Sequence, residues 1–375
     1  MAIEDSEYSA PTGIVLLIGS LQGGGAERQL SDMANYWAGK GVNVTVATWI
    51  GPAVEDFYSL DRKVHRVFLN VELPDTTSFS RVRSNTRRVI KLREFLIKTR
   101  PRAVLSFATE SNVLAILGSL GLGVRVVVSE RVQPALHSML PLAWRILRRC
   151  LYILSDDVVA QTEDAARWIR KNCLKRATVI PNALRSLPTV SVDREKLIIG
   201  VGRLAHQKGF DLLLRAFAKA VTPYDGWRLA IIGEGQERPR LLCLSAELLL
   251  TERVEFLGQI ADVTTWMARA ALVVQPSRFE GFPNVVLEAM GMGAAVISAD
   301  CRSGPADLIE DGVNGRLVRV EDVAALAQAM SELMLRQDLR DCLGREASKV
   351  RQRFCQDLVM TKWDMCLCPS ASLNG

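Results

Sequence analysis

A chain of 375 residues that is 49% hydrophobic and 23% charged is neither disordered nor fibrous, and it exceeds the length at which one hydrophobic core keeps growing, which predicts two domains. Its eight cysteines lack zinc or redox spacing, residues 1–12 lack a signal-peptide pattern, and no apolar run reaches the roughly 20 residues that cross a bilayer. A reducing compartment is expected, and secretion and membrane spanning are not. The net charge of +6 is uneven: residues 1–185 carry 25 Lys and Arg against 17 Asp and Glu, and the remainder 22 against 24. A basic half beside a near-neutral one predicts that the first domain meets an anionic surface or ligand.

After an N-terminus expected to be flexible over residues 1–12, Gly13–Ile18 reads as a buried strand and Leu21–Gly25 as a glycine-rich turn. Leu30, Met33, Ala34 and Trp37 then share one face of a helix over Ala26–Gly39, and Val42–Thr48 is the next strand. Strand, loop, helix, strand is the repeating piece of a parallel sheet. Gly24 and Gly25 open the helix, where amides can meet a phosphate, although a turn needed only for packing looks the same. The loop is not GxGxxG and the next strand does not end in the acid that grips an NAD ribose, so dinucleotide binding is disfavoured.

Residues 79–102 carry nine basic side chains and one acid, with Val82, Val89, Leu92, Phe95 and Leu96 as an apolar stripe. They predict a basic amphipathic helix, and Trp144–Arg149 repeats the theme. Strands over Ala103–Phe107, Val124–Ser129, Asp157–Gln161 and Thr178–Pro181 complete a first domain at residues 13–185. No aromatic-interleaved platform for nucleic acid is present.

Past a boundary around Pro188, a second series predicts a domain over residues 186–355. Its strands are Leu197–Val201, Arg228–Gly233, Arg253–Leu257, Leu272–Gln275, Ala295–Ala299 and Gly315–Val318. Helices lie between them at Asp211–Ala220, Pro239–Leu249, Val263–Ala270, Asn284–Met292, Pro305–Glu310 and Glu321–Leu335, and residues 356–375 form a last helix and tail. Two consecutive doubly wound α/β domains follow, with ligands expected outside the carboxyl ends of their strands.

Two strand-to-loop junctions carry the chemistry. In Gln275–Met290, Glu280 lies in the loop and Glu288 one turn into a helix. Gly281 admits a ligand to the backbone, and the helix start offers amides to an anion. Two carboxylates around a phosphate-sized positive field suit a nucleotide sugar, with hydroxyls on either side of a diphosphate; a surface Glu280 beside a dipole-favoured Glu288 is the plainer alternative. In Gly200–Gly209, Arg203 and Lys208 sit just past a strand end. Two cations there can neutralise a diphosphate and its developing charge, or simply be solvated.

With Glu280 and Glu288 as an E-x7-E pair, the Gly202-Arg203 and Gln207-Lys208-Gly209 loop, Gly23–Glu27, Ile180-Pro181-Asn182 and Cys301–Pro305 in this order, the chain resembles the retaining GT-B glycosyltransferases of family 4 from Gly13 to about Trp363. The resemblance implies two facing Rossmann-like domains with a cleft between them and a last helix crossing back to the first. It implies that Arg203 and Lys208 bind the donor diphosphate, Glu288 the ribose, and Glu280 the transferred sugar. Gly281, Phe282, Pro283, Asn284 and Val285 would line the sugar and phosphate, with Gly24 and Gly25 on the same donor. Glu280, Arg203 and Lys208 form the implied catalytic set.

Many relatives have a histidine near Ser129-Glu130-Arg131 that contacts the donor sugar, and this chain does not. It looks like the branch that extends lipid-linked or cell-surface glycans, in which Glu130 or Arg131 takes over the sugar or acceptor contact; a strand-end salt bridge is the simpler reading. Arg81, Arg87, Arg88 and Lys91 are then candidates for an anionic membrane surface or the diphosphate of a polyprenyl-linked acceptor, against a solvated basic face. The expectation is transfer from a UDP-sugar, GalNAc foremost, with no metal or other cofactor, no nucleic acid and no obligate protein partner, in the cytoplasm at the inner face of the membrane. A nucleotide-sugar epimerase and a non-catalytic glycan or anion binder are the alternatives.

Overall fold

The computed structural model describes residues 13–22, 24–51, 56–71, 78–135, 140–187, 193–221, 226–260 and 262–369. The expectations for residues 1–12, Gly23, Pro188 and the end of the tail lie outside them. The chain divides into two compact units, residues up to Ile180 together with those from Met360 onward, and Pro181–Val359.

In chain order the first unit contains β1 (Ile14–Ile18), α1 (Gly25–Gly39), β2 (Val44–Thr48), β3 (His65–Phe68), α2 (Ser78–Thr99), β4 (Ala103–Phe107), α3 (Thr109–Ser119), β5 (Arg125–Glu130), α4 (Leu142–Leu151), β6 (Asp157–Ala160), α5 (Glu163–Asn172) and β7 (Ala177–Val179). The strands form one parallel sheet in the order β3-β2-β1-β4-β5-β6-β7. Val15, Val104 and Val126 lie in register across its centre, and Leu92 and Leu96 of α2 and Leu114 of α3 join the packing on that face. The last turns of the C-terminal helix also belong to this unit. Trp37 donates its indole N–H to Asp364 at 2.8 Å, Arg125 Nε donates to the Cys366 carbonyl at 2.6 Å, and the buried Trp363 ring lies 6.2 Å from Phe107.

The second unit contains β8 (Glu195–Val201), α6 (Phe210–Val221), β9 (Arg228–Ile232), α7 (Arg238–Glu247), β10 (Val254–Gly258), α8 (Val263–Arg269), β11 (Ala270–Gln275), α9 (Asn284–Gly291), β12 (Ala295–Ala299), α10 (Pro305–Leu308), β13 (Arg316–Val318), α11 (Val323–Leu335), α12 (Gln337–Ala347), α13 (Val350–Arg353) and the start of α14 (Gln356–Leu367). Its parallel sheet runs β10-β9-β8-β11-β12-β13. The strands are near-continuous apolar runs because both faces are covered. Ile198, Leu229, Leu272 and Ile297 pack into one layer with α6 and α11, and Ile199, Ala230, Val273 and Val296 into the other with α8 and α9. Three helices start where a side chain takes an otherwise unpaired amide: Thr162 caps α5, Asp262 caps α8 and Asp322 caps α11.

The loop after β11 is tied to α6 by a bidentate pair. Arg278 Nη1 and Nη2 donate to the Asp211 carboxylate at 2.9 and 2.8 Å, and Arg278 also reaches Glu321 and the His206 carbonyl. Burial alone would raise the Asp211 carboxyl, but the hydrogen-bonded guanidinium outweighs it and holds the group below its usual range. Two outcomes follow. A Trp363→Ala chain should lose about 3–5 kcal/mol of stability to denaturant, the cost of emptying a buried indole site. Because the Asp211 pKa is lowered on folding, its contribution is present above the unfolded value of about 4 and lost as pH falls through the folded one. Asp211→Asn should therefore lose about 1–3 kcal/mol near neutrality and show a flatter acid limb in unfolding measured against pH.

Candidate functional site

In the second unit the strand order reverses between β8 and β11, which pair directly through Leu272 with Ile198 and Val273 with Ile199. The helices that follow these two strands, α6 and α9, pack on opposite faces of the sheet, and the carboxyl ends of strands at such a reversal are where open α/β sheets bind ligands. Lys208 closes a 3-10 turn (His206–Lys208) in the loop after β8, and Glu280 lies in the loop after β11.

The two loops are fastened together along their length. Gln207 donates its side-chain N–H to the Phe279 carbonyl at 2.9 Å, and the Arg278 amide donates back to the Gln207 carbonyl at 2.8 Å. Gly209, at φ +66°, presses its α-carbon onto the Pro276 carbonyl, where any Cβ would collide with backbone. This zipper brings the Lys208 Nζ to 2.6 Å from Glu280 Oε1. The same oxygen accepts from Ser277 Oγ at 2.6 Å and Gln275 Nε2 at 3.1 Å. Glu280 is 5% exposed, whereas the Lys208 side chain keeps 18%, so the cation is the more accessible partner. Ser277 and Gln275 were not among the residues singled out from sequence. Their signal was a polar residue closing an otherwise apolar strand and a serine three positions before the acid.

A third loop, after β12, completes the surroundings. Gly304, at φ +115°, leaves room for the Pro283 ring, whose Cδ would lie 2.5 Å from a Cβ there. Burial, and next the Glu280 carboxylate, push the Cys301 thiol up to about 12. Phe282 and Pro283 are buried at the head of α9, and Asn182 donates to the Asn284 side chain at 2.6 Å, fixing the first residue of that helix. Gly281, Val285 and Glu288 are half-buried on the same loop and helix, and Arg203 is exposed beyond β8. The expected set of Arg203, Lys208, Glu280–Val285 and Glu288 thus belongs to one unit, on two adjoining loops and the first turns of α9.

The remaining candidates lie in the first unit. Gly24 and Gly25 begin α1, with the Glu27 carboxylate folded against Gly24. Glu130 ends β5, buried. Its carboxylate accepts from Tyr152 Oη at 2.5 Å and Thr109 Oγ1 at 3.0 Å, and Arg148 Nη1 lies 3.8 Å away. Burial, then the Glu130 charge, raises the Tyr152 phenol well above its ordinary value. Arg131 stacks over the Phe107 ring at 4.1 Å, and burial lowers its pKa to about 9. Both residues are buried: Glu130 lies beside Arg148, and Arg131 packs on Phe107 and donates to Ser129 Oγ.

On α2 the expected stripe is corrected. Leu92 and Leu96 are buried, Val82 is exposed, and Arg88 is buried with its guanidinium 5.8 Å from the Trp49 ring, apart from the exposed Arg81, Arg87 and Lys91. A long arginine stem can pack on an indole, and that contact competes with solvation.

Residues 23–185 match the family described as Glycosyltransferase Family 4, and residues 188–350 the family described as Glycosyl transferases group 1. Over 93% of this chain and 96% of its own length, a Campylobacter jejuni protein is 28% identical; it is named GalNAc-alpha-(1->4)-GalNAc-alpha-(1->3)-diNAcBac-PP-undecaprenol alpha-1,4-N-acetyl-D-galactosaminyltransferase. An exopolysaccharide phosphotransferase of Streptomyces coelicolor is 37% identical over 215 residues, but these make up 56% of this chain and only 23% of that protein. Among solved structures, Anabaena HepE in complex with UDP has the same fold, with a TM-score of 0.77 at 21% identity over 95% of this chain and 100% of that one. With the two adjoining matches spanning residues 23–350, the Glu280 loop inside the second, and the fold shared with HepE, the chain belongs to the GT-B glycosyltransferases of family 4.

Proposed function

We propose that this glycosyltransferase is a retaining, metal-independent enzyme that moves a sugar, GalNAc foremost, from its UDP donor to a glycan carried on a polyprenyl diphosphate, at the inner face of the cytoplasmic membrane. The observation that carries the reading is the Lys208–Glu280 pair at the reversal of strand order. It supplies a reachable cation for a diphosphate next to a fixed carboxylate for sugar hydroxyls. The donor and acceptor classes draw support from the name of the Campylobacter relative, a GalNAc transferase of a PP-undecaprenol-linked glycan, and from the UDP in the HepE structure.

In this reading Arg203 and Lys208 take the diphosphate, and the first amides of α9 add to the positive field. Glu288 holds the ribose, and Glu280 orients the transferred sugar. The acceptor hydroxyl attacks the anomeric carbon on the face from which UDP departs. The carbon–oxygen bond to the phosphate breaks, the new glycosidic bond forms, and the departing phosphate oxygen takes the acceptor proton. Cations at the leaving group act most strongly as its charge develops, so they lower the barrier more than they tighten ground-state binding.

Nucleotide release, with short-chain polyprenyl diphosphate glycan as acceptor and a panel of nucleotide sugars as donors, tests this reading. Glu280→Gln should lower turnover by about 100-fold or more while calorimetry still records UDP binding; near-normal turnover would overturn the assignment. Ser277→Ala, which removes one of the bonds holding Glu280, should lower kcat about tenfold with the donor KM little changed.

A further inference from the structure

Helix α4 is amphipathic in the reverse sense. Arg148 is its buried side chain, 1% exposed, with its guanidinium 4.5 Å from the Trp168 ring and Nη2 donating to the Pro134 carbonyl at 3.3 Å. Leu142, Ile146 and Leu147 point to solvent, 37–66% exposed, and the 3-10 turn that follows adds Ile153 and Leu154 at 50% and 53%. Leu142 and Ile146 are four residues apart, Leu147 follows, and Ile153 and Leu154 stand seven residues beyond Ile146 and Leu147, so the segment carries an exposed aliphatic surface that runs from the helix into the turn. Such a surface marks a docking site more often than an accident of composition.

Charge decides the occupant. Leu140–Ser155 contains three arginines and no acid. Arg148 is sealed inside, and Arg145 and Arg149 are exposed beside the aliphatic face. A second copy of this face would bring like charges together. An anionic bilayer instead offers hydrocarbon to the aliphatic residues and phosphate to the arginines. Helix α3 packs against both α2 and α4, so the exposed Arg81, Arg87 and Lys91 of α2 add to the same positive field. We infer that the α4 face of the first unit seats in an anionic bilayer, its leucines and isoleucines entering the headgroup boundary and Arg145 and Arg149 meeting lipid phosphates. This rests on the membrane-presented acceptor proposed above and names the element that docks.

Co-sedimentation of the full chain with vesicles of phosphatidylcholine and phosphatidylglycerol, against phosphatidylcholine alone, tests the inference. The chain should bind the anionic vesicles and weaken as salt rises. Ile146→Asp, at an exposed position, should reduce partition about tenfold or more, and Arg145→Gln with Arg149→Gln should reduce both partition and its salt dependence. Unchanged partition of Ile146→Asp, or equal binding to neutral vesicles, overturns the inference. So does self-association in sedimentation velocity that Ile146→Asp abolishes while no variant binds vesicles. Calorimetry with UDP on the same chains separates the two readings. Retained UDP binding with no vesicle binding by the unaltered chain sinks the docking alone, and vesicle binding without UDP binding sinks the proposed donor instead.

Discussion

Burying the Glu280 carboxylate is the constraint around which the second unit is arranged. An ionised carboxylate removed from water costs several kcal/mol unless a cation and hydrogen-bond donors replace its hydration. Here three donors converge on one oxygen: Lys208 from the loop after β8, Ser277 from the loop after β11, and Gln275 from the end of β11 itself. That convergence is possible only because β8 and β11 are neighbours although three helices and two strands separate them in sequence. The requirement that Gly209 lie against Pro276 and the clamp from Arg278 to Asp211 then follow, since both hold the same two loops at that spacing.

The first unit buries a second carboxylate at a strand end, and the two solutions differ in a way that bears on function. Glu130 is surrounded by hydroxyls of Tyr152 and Thr109, with its arginine at 3.8 Å and almost wholly buried. Glu280 instead shares a lysine whose side chain still reaches solvent. A ligand phosphate can draw on the second arrangement without unfolding anything, because a flexible ammonium can serve two anions at once. In the first, any ligand would have to displace a phenol whose proton burial holds in place. A buried glutamate is thus paired with an accessible cation in one unit and with a sealed one in the other.

Much of this architecture was legible in the chain. The doubly wound strands of both units were readable as short apolar runs punctuated by loops, and Lys208, Glu280 and the start of α9 fell where strand ends predict ligands. What escaped shows the limits of periodicity. Strand β3 is a basic, partly exposed edge, His65–Phe68, so it lacks the apolar run that betrays a central strand. Helices α12 and α13 are short and strongly charged, with few buried positions to set a period. On α2, pattern alone assigned Val82 to the core and Arg88 to the surface. The fold reverses both, because the Trp49 face that receives Arg88 is contributed by a residue 39 positions earlier in the chain. Ser277 and Gln275 were invisible for a similar reason: their role is set by where Glu280 folds back.

The reversed polarity of α4 has its cause in the core. Glu130 needs a cation on the side where α4 packs, and Arg148 comes from that side of the helix, filling a core-facing position that a leucine would ordinarily take. The aromatic face of Trp168 makes the burial tolerable by stacking with the guanidinium. A helix of ten residues has few turns over which to distribute its apolar side chains. Once its inward positions go to Arg148, to the partly buried Trp144, which packs against the clusters on both sides of it, and to Leu151, Leu142, Ile146 and Leu147 face outward. The aliphatic surface and the internal ion pair are therefore two consequences of one placement. A substitution that released Arg148 from Glu130 would act on both together.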